Sequence, residues 1–210
     1  MQHIFGHESV TVCFTETIQM PLTPPAERKL IHRRQIDCRG YHREDGLWDI
    51  EGSLIDTRTE TMETFGRGEI APGEHLHEMW LRMTVDSELH VIALEARTVH
   101  APYPSCPDFP DRFSKLVGQR IEPGWTAKVR LLLGGRWGCT HLVELLGPLA
   151  TTAVQTVYAW RGETGDHLED SVAPPSDFIN SCHSLAAGSE VVQRLWPDHS
   201  ETRNGSDKDD

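Results

Sequence analysis

The chain is short of cations. Its 210 residues carry 20 Lys and Arg against 32 Asp and Glu, a formal net charge of −12, and no basic block. Phosphate neutralisation needs clustered Lys and Arg, so a nucleic-acid partner is excluded. Long apolar runs are also missing, and nothing approaches the roughly 20 residues that span a bilayer, so no membrane partner is expected. The opening MQHIFGHESVTVCFTETIQM has neither a basic start nor an apolar centre, unlike a secretion signal. Cysteine is scarce too, five in all with no C-x-x-C pair, and without export these read as reduced thiols or metal ligands in the cytoplasm. No G-x-G-x-x-G, G-x-x-x-x-G-K, G-x-S-x-G or H-E-x-x-H occurs, so no nucleotide cofactor is expected. Nothing in the pattern sets an oligomeric state.

Residues 1–20 read as a weakly structured leader, 21–160 as one domain, 161–175 as a linker, and 176–197 as a terminal segment returning to the domain. The run 198–210, DHSETRNGSDKDD, has no large apolar residue and reads as a disordered acidic tail. The front of the domain is β-like. Leu30–Tyr41 and Leu47–Thr57 flank HREDG, where Asp45-Gly46 marks a tight turn. In the second run Trp48, Ile50 and Leu54 share a face. Glu74–Val85 alternates more sharply, with His75, His77, Met79, Leu81, Met83 and Val85 together, and Leu89–His100 follows. The back is α-like: Pro107–Val117, Trp125–Leu133 and Thr140–Trp160, the last amphipathic through Leu142, Leu145, Leu146, Leu149, Ala153 and Val157 and expected to kink at Gly147-Pro148. Strands followed by helices predict an α+β fold, an antiparallel meander of about four strands with three helices packed on one face, the last long and kinked.

Two residue sets carry the chemistry. Cys106, Cys139 and Cys182 stand at element ends, with His141 two residues after Cys139, and loops let such ligands converge on a tetrahedral zinc or iron ion. The bland alternative is that these cysteines pack as small hydrophobes. His77 falls on the apolar face of its strand beside Glu78 in sequence, and a shielded imidazole near a carboxylate is tuned for proton transfer. His141 and Glu144 share one side of the long helix, where Glu144 would orient His141. The competing readings are a hydrogen-bonded core imidazole and a solvated helix face. Tyr41, Trp48, Trp80, Tyr103 and Trp125 supply aromatic walls for a flat substrate or simply a core. Among the arginines, Arg33, Arg34, Arg39, Arg43 and Arg82 could hold a substrate carboxylate.

The stretches PLTPPAERKLIHRRQIDCRGYHREDGLWDIEGSLIDTRT, HEMWLRMTVD, APYPSCP, LVGQRIEPGW, GCTHLVELLGPLATTAVQT and CHSLAAGSEVVQRLWP resemble a bacterial family, domain of unknown function 2889. That resemblance implies no activity, and it makes Cys182-His183 part of the domain. More distantly, HVIALEARTVHAPYPSC, FSKLVGQRI and GCTHLVELLGPLATTAVQTVY follow the order of iron–sulfur-cluster scaffold (NifU-like) proteins. This second likeness implies metal at Cys106 and Cys139, with Cys38 as a third ligand. The Cys-Gly-Asp motif of those scaffolds is absent. The expected function is therefore a small cytosolic enzyme, a lyase or hydrolase acting on a small organic molecule, aromatic or carboxylate-bearing. Its site would use His77, Glu78, His141 and Glu144, with Trp80, Tyr41 and Arg82 binding the substrate and a zinc or iron ion as the candidate cofactor. The alternatives are a non-catalytic metal or iron–sulfur carrier and an interaction module.

Overall fold

Four long strands dominate the computed structural model, which describes residues 22–106, 110–163 and 178–200. They are β1 (His32–His42), β2 (Trp48–Arg58), β5 (His75–Val85) and β6 (Val91–His100), paired antiparallel in the order β1-β2-β5-β6. Between β2 and β5 the chain makes a small separate hairpin of β3 (Met62–Thr64) and β4 (Gly68–Ile70), a stretch to which the sequence reading assigned nothing. The β1–β2 connection, residues 43–47, is closed by the Arg43 N–H to Leu47 carbonyl bond (2.9 Å). Gly46 takes φ +80°, the left-handed conformation that such a loop requires. The chain divides into two units, Met1–Leu30 and Ile31–Asp210. The described part of the first, residues 22–30, is exposed and carries no helix or strand. The leader, most of the linker and residues 201–210 lie outside the described residues.

Among the described residues the helices are α1 (Trp125–Leu133), α2 (Thr140–Glu163) and the short α3 (Glu190–Leu195). The expected first helix is instead a 3-10 turn, Pro110–Leu116, which still buries Phe113 and Leu116. Pro197–His199, across the expected boundary between the terminal segment and the tail at 198, also form a 3-10 turn. α1 buries Trp125, Val129 and Leu133, four residues apart, and the Trp125 indole N–H donates to the Leu146 carbonyl of α2 (3.1 Å). Pro148 sits inside α2.

One core joins sheet and helices: Ile50 and Leu54 of β2, Met79, Leu81 and Met83 of β5, and Leu145, Leu146 and Leu149 of α2. Each such aliphatic side chain removed from water is worth about 1.5–3 kcal/mol. α2 lies lengthwise over β1 and β2. Its start meets the Asp56 end of β2, Leu145 and Leu149 lie over Gly52, Thr156 over Gly40, and Trp160 against His42 and Trp48. The lengths agree, since the nineteen steps from His141 to Trp160 span about 28 Å of helix and the eight from Asp56 to Trp48 about 26 Å of strand. Gly40 and Gly52 are flat spots that let the helix down onto the sheet, because a Cβ at either would meet side chains of α2.

Candidate functional site: a buried aspartate under two imidazoles

Asp56 ends the apolar stripe of β2. Trp48, Ile50, Gly52, Leu54 and Asp56 alternate onto the face under α2, and the Asp56 carboxylate is fully buried there. A buried charge needs partners, and Asp56 has them on both oxygens. Arg34 of β1, across the strand pair, grips it bidentately through Nε to Oδ1 and Nη2 to Oδ2, both at 2.8 Å. His32 Nε2 reaches Oδ1 at 3.3 Å, and His77 Nδ1 of β5, its neighbour in register, reaches Oδ2 at 3.0 Å. Burial works to raise the carboxyl pKa, but the Arg34 hydrogen bonds and charge overcome it and hold the group down at about 2. Asp56 is thus ionised and can only accept. His77 therefore carries its shared proton on Nδ1, and in the neutral ring Nε2 keeps its lone pair.

The first turn of α2 closes the site. The His141 ring lies over His77, centroids 3.8 Å apart and tilted by 32°, with its Nε2 3.9 Å from Asp56 Oδ2, outside hydrogen-bond reach. Cys139, just before α2, places Sγ 3.8 Å from His141 Nδ1. Glu144, one turn on, accepts from Arg34 Nη1 at 2.6 Å. Burial and the facing His141 push the His77 pKa below the ordinary histidine value, and burial with the Arg34 charge does the same for His141. The site therefore prefers neutral imidazoles. A lowered folded-state pKa means that the unfolded chain binds protons first, so these two groups subtract stability as pH falls through about 6.5. We expect urea unfolding at pH 7.5 and 5.5 to show the native chain losing stability on acidification. That loss should shrink in a His77→Gln, His141→Gln double variant, and an unchanged slope contradicts the assignment.

Of the residues expected from sequence, the structure gathers His77, His141, Glu144 and Cys139 and disperses the rest. Glu78 points to the opposite face of the sheet, where its carboxylate accepts from Trp80 Nε1 (3.1 Å) and meets His75 and His100. Trp80 and Arg82 flank a cavity of about 250 Å³ on that same outer face, where Arg82 pairs with Glu51. Tyr41 is also turned away from α2, its neighbour Gly40 being the residue under Thr156. Trp80, Tyr41 and Arg82 therefore do not wall the His77 site, because strand alternation puts odd-numbered β1 and even-numbered β5 residues here on the outside. Cys38 packs against the core with its thiol pKa raised by burial. Cys106 follows β6 in a turn and Cys182 is exposed. Among the described residues, the two three-ligand clusters are Asp56 with His77 and His141, and His75 with Glu78 and His100; neither contains a cysteine. The terminal segment rests elsewhere, with Phe178 edge-on to Tyr158 of α2 (4.9 Å) beside a cavity of about 900 Å³.

His32 and Asp56 were missed. The period-two stripe of β2, extended two residues past Leu54, reaches Asp56 and would have shown an acid on an apolar face.

Residues 32–155 match the family described as protein of unknown function (DUF2889). The chain belongs to that family. The match takes in every residue of both clusters and stops short of Cys182, so the terminal segment lies outside it. No curated protein and no solved structure matches the chain. The likeness to iron–sulfur scaffold proteins thus finds no counterpart in these comparisons. No helix among the described residues is long and apolar enough to cross a membrane.

Proposed function

We propose that this DUF2889 protein is a small-molecule enzyme, a hydrolase or lyase, that cleaves a carboxylate-bearing substrate by acid–base chemistry at His77 and His141. The observation that carries the reading is the 3.0 Å hydrogen bond that His77 Nδ1 donates to the fully buried, ionised carboxylate of Asp56. Such a carboxylate fixes the tautomer and orientation of the ring and stabilises the imidazolium that forms when Nε2 takes a proton. His77 then returns that proton from Nε2 to the leaving group, while His141, tilted over it with ring centroids 3.8 Å apart, contributes a second imidazole to the same side of the site. Arg34 supplies the anion contact. Its Nη1 holds the half-exposed Glu144, an ion pair worth about 1 kcal/mol or less, so a substrate carboxylate can take that place. Asp56, whose oxygens already accept from Arg34, His32 and His77, is a positioning residue.

The experiment is a turnover screen of small esters, amides and hydroxy acids bearing a carboxylate, followed by NMR, with the native chain beside His77→Gln. The reading expects a turned-over compound whose rate falls by about 10²–10⁴-fold in the variant, while the melting temperature moves by a few degrees at most. Equal turnover in both proteins, or no turnover of any member of the set, overturns it. A second reading, a metal carrier, is favoured by one observation: donor atoms of Asp56, His77 and His141 all lie within 4.8 Å of one another.

A further inference from the structure

A second cluster stands apart from that site, on the other face of the sheet. Two irregularities in the ladder build it. The register of β2 with β5 shifts between Asp56 and Thr57, so that Thr57 pairs with His75, while that of β5 with β6 shifts at Glu78/Met79, so that Glu78 pairs with His100. Bulges re-aim side chains. Here His75, two residues before the inward His77, meets Glu78 instead. His75 Nδ1 and His100 Nδ1 each lie 2.8 Å from the same oxygen, Glu78 Oε2. Three side chains from two strands thus converge on one point.

We propose that His75, Glu78 and His100 bind one divalent transition-metal ion, zinc or iron(II). Two imidazole nitrogens and one carboxylate oxygen are the donor set that such borderline ions take, with further positions left open. Open positions exist: the side chains of His75 and His100 are about 40% exposed while Glu78 is 17% exposed, so the site faces solvent on the histidine side. An orienting group is present as well, because the Trp80 indole N–H holds the other carboxylate oxygen, Oε1, at 3.1 Å. Outer partners of this kind fix a ligating carboxylate. The Arg67 guanidinium donates to the His75 carbonyl (2.6 Å), which ties down the strand start. The cluster is carried by β5 and β6, and none of its members belongs to the Asp56 site.

The test is cobalt(II) and zinc titration of the full chain after chelator treatment, read by calorimetry and by the cobalt visible spectrum. One equivalent is expected. Glu78→Gln and His100→Ala should abolish binding at micromolar metal, and Trp80→Phe should weaken it by about 10-fold, each variant keeping the native circular dichroism. His77→Gln and His141→Ala should bind like the native chain. Absence of binding overturns the proposal, as does loose multiple binding unaffected by Glu78→Gln, or binding that disappears with His141→Ala. If His100→Ala does not fold, His75→Gln on the exposed strand start replaces it, and retained affinity there equally overturns the site. Loss of turnover in the substrate screen leaves this result untouched, because the two sites share no residue.

Discussion

Asp56→Ala is expected to lower the unfolding free energy by about 3–5 kcal/mol, the cost of breaking a buried ion pair from one side. The variant leaves Arg34 reaching under α2 with only the half-exposed Glu144 for a partner, and removes the acceptor of His77 Nδ1 and His32 Nε2. Turnover should disappear with it. Asp56→Asn separates the two effects: it keeps volume and one acceptor oxygen, so it folds better than the alanine variant, yet it no longer stabilises an imidazolium. The pH dependence carries its own sign. The native carboxyl titrates at about 2, below its unfolded value of 3.8, so its contribution is complete above about pH 4 and is lost as pH falls toward 2. The stability gap between the native chain and Asp56→Asn should therefore close over that window in acid titrations. A gap of less than about 1 kcal/mol at pH 7 for Asp56→Ala would mean that the network is no stronger than a surface ion pair.

Gly40→Val carries the second large effect. A Cβ at Gly40 would stand 2.6 Å from Thr156 Cγ2 and 2.7 Å from Thr156 Cβ. Thr is branched at Cβ, so no rotamer clears the contact and α2 must lift. Overpacking of this kind costs about 3 kcal/mol at its upper end, more than the strand propensity of valine returns. Denaturant unfolding of Gly40→Val, Thr156→Ala and the double variant measures the contact. Thr156→Ala should be nearly neutral alone and recover part of the loss in the double variant. Additive effects would show that Gly40 is not a point of helix–sheet approach. Because α2 bears His141 and Glu144 at its other end, the same variant reports whether the functional site depends on the seating of the whole helix.

His77 is legible in the sequence because it falls on the apolar face of its strand, whereas His141 stands with Glu144 on the polar side of the long helix, and the seating of that helix on the sheet brings the two rings together. Asp56 was not singled out, since an acid at the end of a strand is ordinarily wet; it is dry here because the first turn of α2 and Arg34 of β1 cover it. Glu78 was misplaced for a different reason. Adjacency in sequence brought it beside His77, whereas adjacent strand residues face opposite ways. His75 was grouped with His77 by strict alternation, and the ladder's shift at Asp56/Thr57 undoes that grouping. The cysteines are the chemically conspicuous residues of the sequence, but Cys38 packs against the core and Cys182 is exposed.

Alternation and amphipathic periodicity alone determined the α+β class, the four long strands and the positions of α1 and α2, because period and turn chemistry are local properties of the chain. Which polar groups meet was decided by register shifts and by where one helix comes down on the sheet. Those depend on contacts between residues 110 positions apart, as between Arg34 and Glu144, or more, as between His42 and Trp160, and no local pattern encodes them.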